Sequence, residues 1–238
     1  MDVKPKDLNI GVKALAAELT KECKVNFATP KLTYDSKRFT MHLIRAPRYK
    51  IERGSAQICK GNNTICGDSI CSFYTPSQLY NLICDGMGSG PEAAATSRMA
   101  CIMTEKLISS GCSAKLSVET LNKMLIRKFD EVFTTLDMLS INFFTGEATI
   151  YKAAAATTLI FREGKCYDVS SRSVPVGIVD KFNPEITKMK LLHGDTVLML
   201  SDGVTDCFHS NDIITDLVGR SKEKDASAIC EDVINLLK

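Results

Sequence analysis

The sequence predicts an α+β layered fold, on three observations. Strand patterns come first, two long helical patterns follow, then many strands, then helices again. The links between the later strands are short and turn-like: Thr145-Gly146, Glu163-Gly164 and His193-Gly194. Strict strand–helix alternation, the mark of a parallel sheet, is missing, so antiparallel sheets carrying helices on their outer faces are the expected arrangement. No internal repeat and no Pro-, Gly- or Ser-rich linker divides the 238 residues, a length that one large domain accommodates.

Leu8–Cys23 has helical spacing, with Val12, Leu15, Ala16 and Leu19 on one face. Pro30 ends whatever precedes it. Phe39–Arg45 and Tyr49–Lys60 alternate like half-buried strands, with Gly54 marking a bulge in the second. Gly61-Asn62-Asn63 reads as a turn, and Ile70–Tyr74 and Leu79–Cys84 as strands joined through Pro76-Ser77. Pro91 opens a helix whose apolar stripe is Ala95, Met99, Ile102, Met103 and Leu107, closed by Gly111. Ser117 is the expected cap of a second helix, with Val118, Leu121, Leu125, Val132 and Leu136 as its apolar positions. Strands return at Met138–Phe144, Ala148–Lys152, Thr157–Arg162, Lys165–Val169, Val174–Val179 and Thr196–Ser201. Ala153–Ala156 favours helix intrinsically but is too short between strands to form one. Asn211–Val218 and Ala226–Leu237 return to helix.

Composition excludes several function classes. Net charge is +2, from 30 basic and 28 acidic residues, and no Lys/Arg run makes a nucleic-acid footprint. The ten cysteines never form CxxC, and His42, His193 and His209 sit beside no cysteine pair, which argues against a zinc site. The cysteines read instead as small buried hydrophobes in a reducing, cytoplasmic setting. Met1–Asn9 is polar, so no signal peptide is expected, and no apolar run approaches the ~20 residues that span a bilayer. The Asn62-Asn63-Thr64 sequon carries no weight without secretion.

One local pattern recurs. An apolar strand ends and an Asp sits beside a Gly: Leu79–Cys84 runs into Asp85-Gly86, and Val197–Ser201 into Asp202-Gly203. Gly67-Asp68 leads into the Ile70 strand. Asp-Gly is also the commonest hairpin signal, and Gly194-Asp195 is expected to be an ordinary turn. Asp85 and Asp202 differ because they follow strongly apolar strands, where an unpaired carboxylate is costly unless a cation meets it. Asp85 also opens Asp85-Gly86-Met87-Gly88-Ser89-Gly90, whose glycines let backbone carbonyls approach a ligand. That stretch is neither a P-loop nor GxGxxG. Clustered Asp oxygens suit Mg²⁺ or Mn²⁺, ions that position a water and clamp a phosphoryl group.

Four motifs, Gly67-Asp68-Ser69, Ile83–Gly90, Ser173-Val174-Pro175-Val176-Gly177-Ile178 and Leu200-Ser201-Asp202-Gly203-Val204, resemble in order and spacing the phosphatase domain of stage II sporulation protein E. That domain is a branch of the PPM family of metal-dependent Ser/Thr protein phosphatases. The resemblance runs from about Tyr49 to Phe208 and implies a four-layer αββα sandwich of two antiparallel sheets flanked by helices. It implies two Mn²⁺ or Mg²⁺ ions, with Asp68 a ligand of one, Asp85 bridging both, the Gly86 carbonyl nearby and Asp202 completing the second. It implies hydrolysis of phosphoserine or phosphothreonine by metal-activated water, without a phosphoenzyme.

By the same resemblance, Pro91–Gly111 and Ser117–Thr135 look like the family's switch helices, which also offer a face for a homodimer. The implied partner is a phosphorylated anti-anti-sigma-type regulator in bacterial sporulation and sigma factor control, with no nucleic acid and no membrane segment in this chain. Residues 1–48 are expected to be a regulatory or linker segment and 49–238 the phosphatase domain. The family domain usually ends in an Asp-Asp-x-Thr-Val-Val-Val strand carrying another metal ligand, whereas this sequence stops at Asn235-Leu236-Leu237-Lys238. Either the natural chain continues, or this copy lacks a strand and a ligand, a role not transferred to Asp225 or Asp232. An inactive binding module on the same fold is the alternative reading.

Overall fold

The computed structural model describes residues 5–35, 38–59, 65–88, 90–128, 132–208, 212–221 and 225–237. The expected turn at Gly61-Asn62-Asn63, the sequon, Ser89, His209 and Asn211 lie outside them. The chain divides into two compact units, residues 1–50 with 143–145, and residues 51–142 with 146–238. Among the described residues no helix is long and apolar enough to cross a membrane.

The first unit contains α1 (Pro5–Cys23) and an antiparallel pair, β1 (Lys31–Asp35) and β2 (Arg38–His42). The expected helical face is partly covered: Ala16 is buried, Val12 and Leu19 are half-buried and Leu15 is exposed. The Arg48 and Tyr49 amides both donate to the Phe143 carbonyl.

The second unit carries β3 (Asp68–Tyr74), β4 (Gln78–Asp85), α2 (Pro91–Ser109), α3 (Ala114–Lys128) and β5 (Leu136–Asn142). It continues through β6 (Glu147–Ala153), β7 (Thr158–Arg162), β8 (Lys165–Val169), β9 (Glu185–Lys190) and β10 (Thr196–Leu198). Helices α4 (Asp202–Thr205), α5 (Asp212–Arg220) and α6 (Ala226–Asn235) follow. One sheet has the order β3-β4-β5-β6-β9 and the other β10-β7-β8, and every pairing is antiparallel.

Period-two alternation sorts the strand residues into layers. Leu136 and Met138 of β5 join Val118, Leu121 and Leu125 of α3 and Ala100, Cys101 and Ile108 of α2. Leu139 and Ile141 of the same strand join Ala148, Ile150 and Ile160 between the sheets. Leu159 and Phe161 of β7 meet Ile214, Val218, Ile229 and Val233 of α5 and α6. Helices, sheet, sheet, helices is therefore the layer order, each buried aliphatic side chain being worth about 1.5–3 kcal/mol.

One ion pair lies in the inter-sheet layer. Lys152 Nζ donates to Asp137 Oδ2 at 2.7 Å and to the Ala156 carbonyl, while Thr158 Oγ1 donates to the same Asp137 oxygen at 2.6 Å. The two charged side chains are 1% and 2% exposed.

Several local expectations are corrected. Residues 51–59 form no strand, and Gly54 is not a bulge: its Cα lies so close to the Ala226–Ser227 backbone that no Cβ fits. Val174–Val179 is a loop rather than a strand, and its backbone pairs with Thr134 through a bridge at Val176. Strand β9 was not foreseen, because Glu185–Lys190 has few apolar residues and pairs as an exposed edge. Ser113, rather than Ser117, caps α3 through the Leu116 amide. Helix α3 stops before Val132, and Leu136 belongs to β5.

Helix α2 buries the opposite face from the one its large residues suggest. Ala93, Ser97, Ala100, Cys101, Thr104 and Ile108 are inside. Ala95 and Ile102 are exposed and Met99, Met103 and Leu107 half-buried. Small residues let the helix approach the sheet closely.

Of the cysteines, all ten free thiols, Cys84 and Cys101 are buried as expected, whereas Cys23 and Cys207 are exposed and the rest intermediate. Gly194-Asp195 is a turn, as expected, with a structural carboxylate. Arg162 donates to it through Nε and Nη2, and the Leu192 amide joins them. Burial pushes the Asp195 carboxyl up, but these donors overcome it and hold it below its ordinary value.

Candidate metal centre

The hairpin register sets Asp68, the first residue of β3, directly opposite Asp85, the last of β4. Like charges opposite one another on neighbouring strands repel. Asp202 enters from the other sheet, as the first residue of α4 beyond β10. Asp68 and Asp85 are half-buried and Asp202 is exposed. The Asp85 carboxyl is pushed up to about 7, first by burial, then by the hydrogen bond and charge of Asp68, then by the charge and hydrogen bond of Asp202. The three predicted residues thus converge on one sheet edge, with Asp85 in the middle.

The backbone at Asp85 is clamped by Thr134 and Thr135, just before β5. The Asp85 carbonyl accepts from Thr134 Oγ1 at 2.7 Å and from the Thr135 amide at 2.9 Å. The Asp85 amide donates to Thr135 Oγ1 at 3.1 Å. Gly86 bridges to Thr134 and Thr134 bridges on to Val176. On the other side α2 closes in: Ser69 and Ser97 share a hydrogen bond of 2.8 Å, and Cys101 Sγ donates weakly to the Ser69 carbonyl.

Gly86 has no space for a side chain, because a Cβ there would run into the Ala93 backbone in the first turns of α2. Gly86→Ala is therefore expected to push α2 from the sheet and cost about 1–3 kcal/mol. Thermal unfolding in chelator measures this, and an unchanged Tm would contradict the close approach.

The donor set suits a hard divalent cation. It offers three carboxylates, the oxygen donors such a cation takes, with Asp202 Oδ1 oriented by the Gly203 amide at 2.6 Å. A cation there would relieve the repulsion that raises Asp85. Among the described residues no group of three or more His, Cys, Asp or Glu side chains is placed to hold a metal ion as it stands. Asp225 is engaged elsewhere, capping α6 by accepting from the Ala228 amide at 2.8 Å. Thr134, Thr135 and Ser97 were not foreseen, since none belongs to a local pattern that distinguishes it from an ordinary polar residue.

Residues 75–238 match the family profile described as stage II sporulation protein E. Over 158 residues the chain is 30% identical to stage II sporulation protein E of Bacillus subtilis (strain 168), covering 66% of this chain and 19% of that protein. The corresponding protein of Priestia megaterium is 27% identical over 158 residues, covering 66% of this chain and 27% of it. This chain therefore spans about a fifth to a quarter of these relatives. Among solved structures, the PP2C phosphatase domain of SpoIIE from Bacillus subtilis with a fragment of its regulatory domain superposes with TM-score 0.76 at 24% identity. That match covers 94% of this chain and 70% of the other.

Proposed function

Because the chain belongs to the stage II sporulation protein E family, we propose that residues 49–238 form a phosphatase domain that hydrolyses phosphoserine or phosphothreonine on a protein. The observation that carries this is the convergence of Asp68, Asp85 and Asp202, with Asp85 raised by burial first and then by both neighbours. The substrate is proposed to be an anti-anti-sigma-type regulator, in line with the family.

Mn²⁺ or Mg²⁺, two ions when bound, supplies an activated water and neutralises phosphoryl charge. Asp68, Asp85, Asp202 and the Gly86 carbonyl are the groups that would hold these ions. The Thr134 and Thr135 hydrogen bonds fix the direction of the Asp85 main chain, so that its carboxylate does not have to be ordered during turnover.

The test is release of phosphate from a serine-phosphorylated anti-anti-sigma-type protein. Release is expected with Mn²⁺, to stop with excess chelator and to return on re-addition of Mn²⁺. Release at the same rate in chelator would sink the metal-dependent reading, and none under any condition would favour the inactive module.

A further inference from the structure

We propose that Asn122 of α3 is a positioning residue for the ion-holding corner, acting through the Val176–Gly177 loop and Thr134 on Asp85 and Gly86; this rests on the metal reading above. Asn122 is 1% exposed, in a helix whose neighbouring inward positions, Val118, Leu121 and Leu125, are aliphatic. A buried amide is costly unless fully bonded. Asn122 is bonded at both ends to one loop: the Gly177 amide donates to Oδ1 at 2.7 Å, and Nδ2 donates to the Val179 carbonyl at 2.9 Å.

That loop is not free to move. Gly177 has φ +103, and a Cβ there would lie 2.7 Å from the Val132 carbonyl and 3.1 Å from Leu125 Cβ. Next to it, Val176 exchanges two backbone hydrogen bonds with Thr134, at 3.0 and 2.9 Å. Thr134 in turn bridges Gly86 and bonds the Asp85 carbonyl. The side chain of α3 thus sets the height of a three-segment ladder whose last rung is Asp85-Gly86. A simple loop anchor would be satisfied by any fold-preserving replacement. A positioning residue makes ion affinity, rather than the maximal rate, depend on the amide.

Asn122→Leu keeps the volume and removes both hydrogen bonds. In calorimetric titration of the full chain, Mn²⁺ affinity is expected to weaken about tenfold, as for the loss of an outer-shell partner. The rate at saturating Mn²⁺ should be retained. Amide exchange measured in chelator should quicken at Thr134, Val176 and Gly177 but not in α6. Unchanged Mn²⁺ affinity in a folded Asn122→Leu protein overturns the proposal alone. No Mn²⁺ binding by the unsubstituted chain overturns the metal reading and the proposal with it. If Asn122→Leu does not fold, exchange in the unsubstituted chain decides. A Gly177 amide as protected as those of Leu121 and Leu125 supports the clamp, and one exchanging as fast as exposed loop amides overturns it.

Discussion

Asp85→Ala is expected to lower metal-dependent phosphate release on the order of 10³-fold, the scale at which several kcal/mol of transition-state stabilisation are lost. It should do so without lowering stability in chelator. Both halves follow from one observation. Asp85 stands between Asp68 and Asp202 and is raised to about 7, burial being the first cause and its two neighbours the rest. Such a carboxylate is unfavourable to the fold and favourable to a cation. Removing it takes away the bridging ligand and also the repulsion. The checks are phosphate release at saturating Mn²⁺ and thermal unfolding in chelator. A structural aspartate would give the reverse result, with Tm falling and the rate surviving in the folded fraction.

Lys152→Met is expected to destabilise the second unit by about 3–5 kcal/mol, because it leaves the Asp137 carboxylate buried with no cation. For a domain of this size that lowers Tm on the order of 10 °C. Thr158 would remain as a single donor, and Asp137 Oδ1 already has no partner in the folded chain. Replacing both members, Asp137→Leu with Lys152→Met, is expected to recover most of the loss, since an apolar pair needs no desolvation of charge.

The single variant should also be sensitive to pH. Burial raises Asp137 despite the lowering influence of Lys152 and Thr158. A carboxyl raised in the folded state costs little while protonated and costs more as pH rises through its raised value. The penalty of Lys152→Met should therefore be largest at neutral pH and shrink as pH falls toward the carboxylate range. Denaturant unfolding of both variants across pH measures this.

The α+β layered class was legible because it depends on period and link length, which are local, whereas the four-layer order was implied by the family resemblance. The apolar runs at Leu79–Cys84 and Met138–Phe144 and the hairpin links announced antiparallel strands whatever their partners. What failed was whatever depends on a partner far away in sequence. The face that α2 buries was misread because its large apolar residues are not the fully buried ones: Ile102 is exposed, and Met99 and Met103 are half-buried at the margin of the core. Close approach to Gly86 selects small residues such as Ala93, Ser97 and Ala100 instead.

The acidic corner was visible as three Asp–Gly junctions, and the register of β3 on β4 explains why Asp68 belongs with Asp85. Asp195, the same signal at a turn, was rightly set apart. Its partner Arg162 lies 33 residues away and could not be read from the sequence. The clamp of Thr134, Thr135 and Asn122 was invisible for the same reason, since its hydrogen bonds join residues 49 to 57 apart.

The central claim is that Asp68, Asp85 and Asp202 form one ion-holding corner. Calorimetric titration of the chain with Mn²⁺ tests it most directly, beside Asp85→Ala and, as control, Asp195→Asn. Saturable binding is predicted for the unsubstituted chain and for Asp195→Asn, and none above background for Asp85→Ala. Equal saturable binding by Asp85→Ala, or none by the unsubstituted chain, would contradict it.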